Sequence, residues 1–377
     1  MSDHFPHDLQ LQILKRLPLN SLLKFRTVSK SWNSLITSNH FISSHLQSIT
    51  HNNPQSLFIR YFDRTRKIEQ YITAKDDQTF GIHFSDIDFQ HATKSAYFRI
   101  VGCCNGVVCL SDDLFDSMCM VVLWNPSIRK SVRVLVPDYQ QNCVWPRFTV
   151  LGFGVCPVTH DPKVVKIVFV NAFSVPDQIT VEDPPLVEVF SVNSGGWRKP
   201  FGHNRNRPCN MINITWSQVC FNGAIHWVAY DRRIEASGRS IIVSFDLVHE
   251  VFDEMPLPDA LASQDIGNLA MSSRKGQLTM LEYDMEKGKE ACGVWVMKEY
   301  GVPGSWEEMY VIRLPGMLRR VVGFRTNGDM VLALKNHELV YVECTGNVKS
   351  LGIYANIRSF FVGSYMESLI LINQLDQ

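Results

Sequence analysis

The chain lacks the sequence features by which nucleic-acid-binding, membrane and secreted proteins are commonly recognised. Lysine plus arginine and aspartate plus glutamate both number 37 among 377 residues, so the formal net charge is zero. A balanced charge gives no argument for a nucleic acid or an anionic membrane surface as partner. No signal peptide opens the sequence, and no apolar run approaches the length that spans a bilayer. These absences predict a soluble protein that binds neither nucleic acid nor membrane.

Cysteine spacing argues against a zinc-binding module. The sequence has ten cysteines and no Cys-x-x-Cys pair, although Cys103 and Cys104 are adjacent. Cys109, Cys156 and Cys220 lie in strand-like apolar runs, where a reduced cysteine behaves as a small apolar residue. Cysteines of this kind are typical of a reducing compartment, so we expect a cytoplasmic and/or nuclear location.

The common catalytic motifs are also missing. We find no Walker loop, no Gly-x-Gly-x-x-Gly after a strand, no His-Glu-x-x-His and no Gly-x-Ser-x-Gly. His226 stands beside Trp227 in a strand-like run, where a hydrogen-bonded core histidine is favoured over a catalyst. The pair Cys103-Cys104 is open to a redox role, but buried structural cysteines are the favoured interpretation. The sequence therefore predicts a non-catalytic protein without a cofactor or a metal.

Apolar residues recur at helical spacing in three short segments near the start of the chain. The positions are Leu9, Ile13, Leu14 and Leu17; Leu22, Leu23 and Phe25; and Val28, Trp32, Leu35 and Ile36. Pro18 is expected to end the first helix, and Asn20 or Ser21 to cap the second. Three helices this short cannot bury all these side chains among themselves, so part of the apolar surface predicts a partner's docking site. The alternative is a helical hairpin that belongs to a larger core.

This segment resembles the F-box, the adaptor-binding motif of SCF-type ubiquitin ligases. The matching residues are Phe5-Pro6-x-Asp8-Leu9, Ile13-Leu14-x-Arg16-Leu17-Pro18, Ser21-Leu22-Leu23-x-Phe25-Arg26-x-Val28-x-Lys30-x-Trp32 and residues 41–46. The family usually has Leu-Pro where Phe5-Pro6 stands, often an acid at Gln12 and a cysteine at Ser29. The resemblance implies a Skp-family adaptor as partner and, through it, a cullin scaffold and a RING subunit. The implied adaptor contacts are Phe5, Pro6, Leu9, Ile13, Leu17, Pro18, Leu22, Val28 and Trp32.

The rest of the chain predicts a different fold class. Residues 47–56 are polar and contain a proline, so we expect a linker between an F-box at 1–46 and a second domain at 57–377. From residue 57 the apolar period becomes two, which is typical of strands. The tight-turn pairs Asn105-Gly106, Asn222-Gly223, Lys275-Gly276 and Asn327-Gly328 recur, and Asn-Gly is the strongest short hairpin signal.

The strands repeat with a period near that of four-stranded blades. Residues expected on the third strands are Trp124, Phe190, Phe245, Trp295 and Tyr341, at spacings of 66, 55, 50 and 46 residues. Kelch-like blades have a period of about 50 residues. Five units span roughly 97–353, and a sixth can be built from 57–73 and 359–372, which would join the chain ends in one blade. We therefore predict a six-bladed kelch-like β-propeller; the alternative is a two-sheet β-sandwich.

This second region resembles the F-box-associated domain of plant F-box proteins. Among the matching phrases are Gly102-Cys103-Cys104-Asn105-Gly106, Leu123-Trp124-Asn125-Pro126, Asn222-Gly223-Ala224-Ile225-His226-Trp227 and Trp295-Val296-Met297-Lys298. Such proteins are substrate receptors, so the resemblance implies that this domain binds an unknown target protein for ubiquitination. Two alternatives stay open: an adaptor-bound module outside a ligase, and a kelch-type copper enzyme using Tyr230, His226 and Cys220.

The distribution of loops predicts where a target would bind. In an antiparallel blade the first and third turns lie on one face, and the longer segments, here 111–119, 137–146, 171–185, 201–213, 231–239 and 284–290, lie on the other. We expect the loop-rich face to bind the target. Two neighbouring loops carry Arg205, Arg207, Arg232, Arg233 and Arg239, which form either a solvated basic rim or a site for an acidic or phosphorylated segment.

Overall fold

The computed structural model describes residues 6–52, 56–87, 98–113, 120–137, 146–170, 185–201, 212–233, 238–288, 290–343 and 345–374. Four helices come first: α1 (His7–Leu14), α2 (Leu19–Phe25), α3 (Lys30–Ile36) and α4 (Asn39–Asn52). Within the described ranges, no helix combines the length and the apolar character that crossing a membrane requires.

Prolines and one serine set the helix starts. Pro6 and Pro18 stand at the N-caps of α1 and α2, so α2 begins directly after Pro18, before the expected caps Asn20 and Ser21. The side chain of Ser29 caps α3 by accepting a hydrogen bond from the Trp32 backbone N–H at 3.2 Å. Because α1 ends at Leu14, Leu17 lies beyond the helix to which its spacing had assigned it.

The polar linker predicted from residue 47 is partly wrong, because α4 continues to Asn52. Its apolar face, with Phe41, Ile42 and Leu46, is buried, and the Ser48 hydroxyl donates to the Lys15 carbonyl oxygen at 3.1 Å. Tertiary contacts thus stabilise a helix whose polar composition alone indicates a loop. The first strand begins at Ser56, so the connection is shorter than predicted.

Six four-stranded antiparallel sheets follow, which we number as blades in chain order. Blade 1 contains β1 (Ser56–Asp63), β2 (Ile68–Lys75), β3 (Phe84–Asp86) and β24 (Phe361–Tyr365). Blade 2 contains β4 (Arg99–Cys104), β5 (Val107–Ser111), β6 (Met120–Asn125) and β7 (Lys130–Leu135). Blade 3 contains β8 (Pro146–Val155), β9 (Pro162–Val170), β10 (Leu186–Ser191) and β11 (Gly196–Arg198).

The remaining blades repeat the same order. Blade 4 contains β12 (Ile212–Phe221), β13 (Ala224–Asp231), β14 (Arg239–Asp246) and β15 (Phe252–Pro256), and is followed by a one-turn helix α5 (Asp259–Ala262). Blade 5 contains β16 (Leu269–Arg274), β17 (Gln277–Asp284), β18 (Ala291–Met297) and β19 (Trp306–Arg313). Blade 6 contains β20 (Leu318–Phe324), β21 (Met330–Leu334), β22 (Glu338–Val342) and β23 (Val348–Tyr354).

This topology confirms the six-bladed propeller and excludes the sandwich alternative. The strands are paired in sequence order within blades 2 to 6, and the inner strands β24, β4, β8, β12, β16 and β20 contact one another around an axis. The five marker residues lie on the third strand of their blades, as their spacing predicts. Asn105-Gly106, Asn222-Gly223 and Lys275-Gly276 form turns in which both residues have positive φ. At Asn327-Gly328 only the glycine does, and the turn is longer.

Blade 1 joins the two ends of the propeller. β24 pairs antiparallel with β1, in a register that places Tyr365 opposite Ser56. The ring closure predicted from the sequence is therefore correct; β3 is the fourth strand of the blade, and β24 is the one strand that the segment 359–372 supplies. Its last part is a run of four apolar residues without polar alternation, and such a run suits a segment buried on all sides better than a half-exposed strand.

We call residues 366–374 the tail; it joins the propeller to the four helices. Its apolar residues Leu369, Ile370, Leu371 and Ile372 are at most 5% exposed, in a core shared with Leu14, Leu22, Ile36 and Phe41 of the helices and Val107 and Phe153 of blades 2 and 3. The buried Asn125 amide donates to the carbonyl oxygens of Ser368 at 2.9 Å and Ile370 at 2.8 Å. Asn373 donates to the carbonyl oxygen of Thr37, at the end of α3.

The helices occupy one of the two faces of the ring. The turn face carries the connections between first and second and between third and fourth strands of each blade, counted from the axis. The loop face carries the remaining connections. The tail follows the inner strand β24 where its blade reaches the turn face, and α4 leads into β1 at the same end. The helical domain therefore lies on the turn face, and the loop face is not covered by it.

An ion triad links blades 3 and 4 on the turn face. The Glu250 carboxylate accepts hydrogen bonds from Lys163 Nζ at 2.8 Å and from both terminal nitrogens of Arg198 at 2.6 Å. The backbone N–H of Phe201 donates to it at 3.0 Å. Burial raises the pKa of Glu250, but these donors outweigh it and lower the pKa to about 2.

The tail predicts different outcomes for two truncations. A chain ending at Tyr365 keeps every strand, so we expect a folded propeller whose helical domain has lost its buried contact, each leucine or isoleucine of which is worth about 1.5–3 kcal/mol. A chain ending at Asn356 also loses β24 and exposes sheet edges, so we expect an insoluble or strongly destabilised domain. Limited trypsin digestion and thermal melting test both.

In the first truncation, cleavage at Lys15, Lys24 and Lys30 should accelerate while the propeller fragment persists. Unchanged protection of these sites would contradict the role of the tail. Cooperative, near-normal melting of the chain ending at Asn356 would contradict closure by β24.

Glu250 predicts a pH-dependent contribution to stability. Its pKa is depressed in the folded state, so its stabilisation is complete above the unfolded value of 4.5 and is lost as the pH falls towards 2. Glu250→Gln should lower the free energy of unfolding at neutral pH by up to about 3 kcal/mol, and this difference should shrink below pH ~4.5. Urea unfolding at several pH values measures it, with the exposed Glu299→Gln as control. A difference that is independent of pH would show that the triad's charge is not responsible.

Candidate functional site

The helical domain leaves several large apolar side chains exposed. Leu9 is 45%, Ile13 51% and Val28 66% exposed, and Pro6 and Pro18 are exposed as well. Leu9 and Ile13 are one helical turn apart on the same side of α1, and Val28 lies in the turn between α2 and α3. We call Pro6, Leu9, Ile13, Pro18 and Val28 the exposed apolar set. Five of the nine positions implied as adaptor contacts thus lie at the surface.

The other implied positions divide into three cases. Leu22 is fully buried in the core shared with the tail, so its assignment to the adaptor surface is wrong: helix α2 turns this residue inward. Leu17 and Trp32 are half-buried and pack against the same core with one side. Phe5 lies outside the described residues. The helices therefore form part of a larger core and also present an apolar surface. The sequence left open a docking surface or a part of a larger core, and the helices have features of both.

Charge on this domain is one-sided. Between residues 6 and 52 the sequence has a single acid, Asp8, against the bases Lys15, Arg16, Lys24, Arg26 and Lys30. Arg16, Lys24 and Lys30 are exposed, and Arg26 donates to the Asn33 side chain at 3.0 Å. Such a surface favours an acidic partner.

The basic site predicted on the loop face has fewer unpaired arginines than its sequence indicates. Arg233 forms ion pairs with Asp231 at 2.8 Å and with Glu254 at 2.5 Å, and the hydrogen bonds that it donates to the Asp231 carboxylate are the main reason that the pKa of Arg233 is raised. Arg239 pairs with Asp259. Among the described arginines of this predicted site, only Arg232 makes no ion pair with a described residue. Arg205 and Arg207 lie outside the described ranges. The acids at positions 254 and 259 are distant in sequence, so the loop composition could not reveal them.

A second group of arginines, which the sequence analysis did not predict as a site, lines a cavity at the propeller axis. It has a volume of about 600 Å³ and is lined by the inner strands of blades 1, 2, 4, 5 and 6. Arg319, Arg320 and Arg358 line it, and no described lining residue is an aspartate or a glutamate. These arginines follow no periodic motif in the sequence, and they are distant from the arginines at positions 205–239. Only the closure of the ring brings Arg358 close to Arg319 and Arg320.

The residues of the copper-enzyme alternative do not converge. Cys220 pairs with Ile225 and Tyr230 with Asn213 at opposite ends of the β12–β13 hairpin, which separates them by roughly 16 Å along the strand. His226 is buried and hydrogen-bonds Tyr300 at 2.8 Å, and burial lowers its pKa to about 4. Cys103 and Cys104 point to opposite sides of β4. The Sγ atom of Cys104 lies 3.4 Å from the Sγ atom of Cys220. Within the described ranges, no group of three or more acidic, histidine or cysteine side chains is placed to hold a metal.

Comparison with known proteins assigns both parts of the chain. A family model described as an F-box domain matches residues 2–44, and one described as an F-box associated beta propeller domain matches residues 64–372. The chain is 28% identical over 384 residues to the F-box protein At3g07870 of Arabidopsis thaliana, covering 93% of this chain and 87% of that protein. It is 27% identical to the F-box/kelch-repeat protein At3g23880 of the same plant, covering 83% and 81%.

Among solved structures, TolB from Acinetobacter baumannii aligns with a TM-score of 0.42 at 9% identity, covering 86% of this chain and 68% of TolB. That likeness is too weak to bear on function. The two family matches lie in the same order as the helical domain and the propeller, and the second spans most of the chain. The protein therefore belongs to the family of F-box proteins that carry an F-box associated β-propeller domain.

Proposed function

We propose that this protein is the substrate-recognition subunit of an SCF-type ubiquitin ligase. Its F-box binds a Skp-family adaptor, and through the adaptor a cullin scaffold and a RING subunit. Its propeller binds a target protein, which is then ubiquitinated by the assembled ligase. The protein itself contributes binding and no catalysis, and it acts in the cytoplasm and/or the nucleus.

The exposed apolar set is the observation that carries this proposal. One side of the F-box helices is buried against the tail and blades 2 and 3, while Leu9, Ile13 and Val28 remain in solvent. Large apolar side chains that a small domain leaves exposed are typical of a protein–protein interface. The excess of basic residues around them suits an acidic adaptor surface.

The position of the two domains supports the second half of the proposal. Because the F-box lies on the turn face, an adaptor bound to its outer side leaves the loop face open. The connections on the loop face are also longer than joining neighbouring strands requires, and such loops commonly carry binding residues. The loop face is therefore our proposed target-binding face.

Adaptor binding can be tested without damaging the core. Ile13→Glu with Val28→Glu places two carboxylates at positions that are more than half exposed, so the domain should fold normally and lose the adaptor because charged groups resist desolvation. A pull-down with purified Skp-family adaptor measures the loss, which we expect to be at least about 100-fold in affinity.

A matched control is Ile82→Glu with Val158→Glu, at propeller positions that are 66% and 68% exposed. It carries the same residue types and the same change of charge, and it should bind the adaptor normally. Undiminished binding by the Ile13/Val28 variant would reject the proposed interface. The core variant Leu22→Glu should instead unfold the F-box.

The ligase role itself needs a separate measurement. The full chain should co-purify with a cullin and a RING subunit in addition to the adaptor, and the Ile13/Val28 variant should lose all three together. Co-purification of the adaptor alone would favour a binding module that acts outside a ligase.

A further inference from the structure

The axial cavity opens on the loop face, and its arginines lie at that opening. Arg319 is the second residue of the inner strand β20, which begins on the loop face after the connection from blade 5. Arg358 lies in the connection from β23 to β24, which also crosses the loop face. Both side chains are exposed, and neither makes an ion pair with a described residue. Arg320 donates to the carbonyl oxygen of Phe360, which ties β20 to the connection that carries Arg358.

None of the described residues that line the cavity is an aspartate or a glutamate. Glu282 and Asp284 alternate along β17 with Leu281 and Tyr283, which line the cavity. Strand alternation therefore turns these two acids away from it. Together with Glu286 they line an adjoining depression, which shares Tyr283 and Met285 with the cavity. Arg319 and Arg358 lie in a recess with low-dielectric walls and no carboxylate among its described lining residues, so they attract anionic groups more strongly than the same charges on a flat surface.

The walls of the cavity suit an extended polypeptide. Each inner strand is the edge of its sheet, so its outward backbone N–H and C=O groups face the axis without a strand partner. Extended peptides bind such edges through main-chain hydrogen bonds. The hydroxyls of Ser217, Ser272, Ser273 and Ser364, on the inner strands of three blades, add donors to the same cavity.

From these features we propose that the loop-face opening of the axial cavity binds an acidic segment of the target protein. Carboxylate or phosphate groups of the segment pair with Arg319 and Arg358, and its extended backbone follows the inner strands. Guanidinium groups bind both kinds of oxyanion by paired hydrogen bonds. This inference rests on the proposed function, which it deepens by naming the chemistry of the target. It also moves the basic site from the neutralised arginines of blade 4 to the axis.

Fluorescence anisotropy with labelled peptides tests the proposal on the full chain. The probes are Gly-Glu-Glu-Glu-Glu-Gly, a peptide with two phosphoserines in place of two glutamates, and the neutral control Gly-Gln-Gln-Gln-Gln-Gly. We expect the two anionic peptides to bind, with affinity that falls as salt rises, and the neutral peptide to bind at least about tenfold more weakly.

Charge reversal locates the site. Arg319→Glu with Arg358→Glu should weaken the binding of anionic peptides by at least about tenfold. The matched control Arg64→Glu with Lys67→Glu changes two exposed charges in the β1–β2 connection on the same face, outside the cavity, and should leave binding unchanged. The milder variant Arg319→Gln with Arg358→Gln gives a second reading, and thermal melting confirms that each variant is folded.

Each remaining outcome contradicts the proposal. Equal binding by the Arg319/Arg358 variants and the unmodified chain would place the anion site elsewhere. Equal binding of the neutral peptide would remove the role of charge. Binding of inorganic pyrophosphate at this site without binding of either anionic peptide would indicate a small-anion site. The adaptor pull-down is run on the same variants, so a failure of the peptide arm alone rejects this inference and leaves the proposed function standing.

Discussion

The pairing of β24 with β1 is the contact on which the rest of the structure depends. Without it, blade 1 would end in an open edge and the ring of inner strands would have a gap at the axis. The cost is that residues more than 290 positions apart must meet before the ring is complete. Loop-closure entropy makes such long-range pairing slow to form.

The tail, which follows the closing strand, places the F-box. Residues 369–372 follow directly on the closing blade and pack between blades 2 and 3 and the F-box helices. A short four-helix segment is too small to be stable on its own apolar surface, and the propeller supplies the missing partner. The Asn125 side chain, which bonds two carbonyl groups of the tail, satisfies polar groups that burial would otherwise leave costly. Ring closure and F-box position are therefore consequences of one C-terminal segment.

This arrangement separates the two proposed binding surfaces in space. The F-box takes up the turn face, where connections are short and many turn residues need positive φ, as at Asn105-Gly106. Longer connections collect on the loop face, where their length costs little stability. The axial arginines Arg319 and Arg358 open onto this second face, while the Glu250 triad, fully paired, belongs to the first and serves structure. Burial and ion pairing distinguish these two groups of charged residues.

The amino-acid sequence by itself determined the helical start, the six-bladed ring and the third-strand markers, since these depend on apolar period, turn chemistry and repeat length. The resemblance to the F-box, rather than spacing, singled out Leu9, Ile13 and Val28 as contact positions. The sequence could not determine which helical residues are turned inward: Leu22 of α2 and Phe41 of α4 are buried in a core shared with the tail, which is more than 300 residues away. It likewise could not show that Arg233 and Arg239 are neutralised by Glu254 and Asp259, or that Arg319 and Arg358 share a cavity. Only the tertiary structure decided these points, because periodicity reports which way a side chain faces within its own element, whereas burial and ion pairing depend on which other elements the closed ring brings against it.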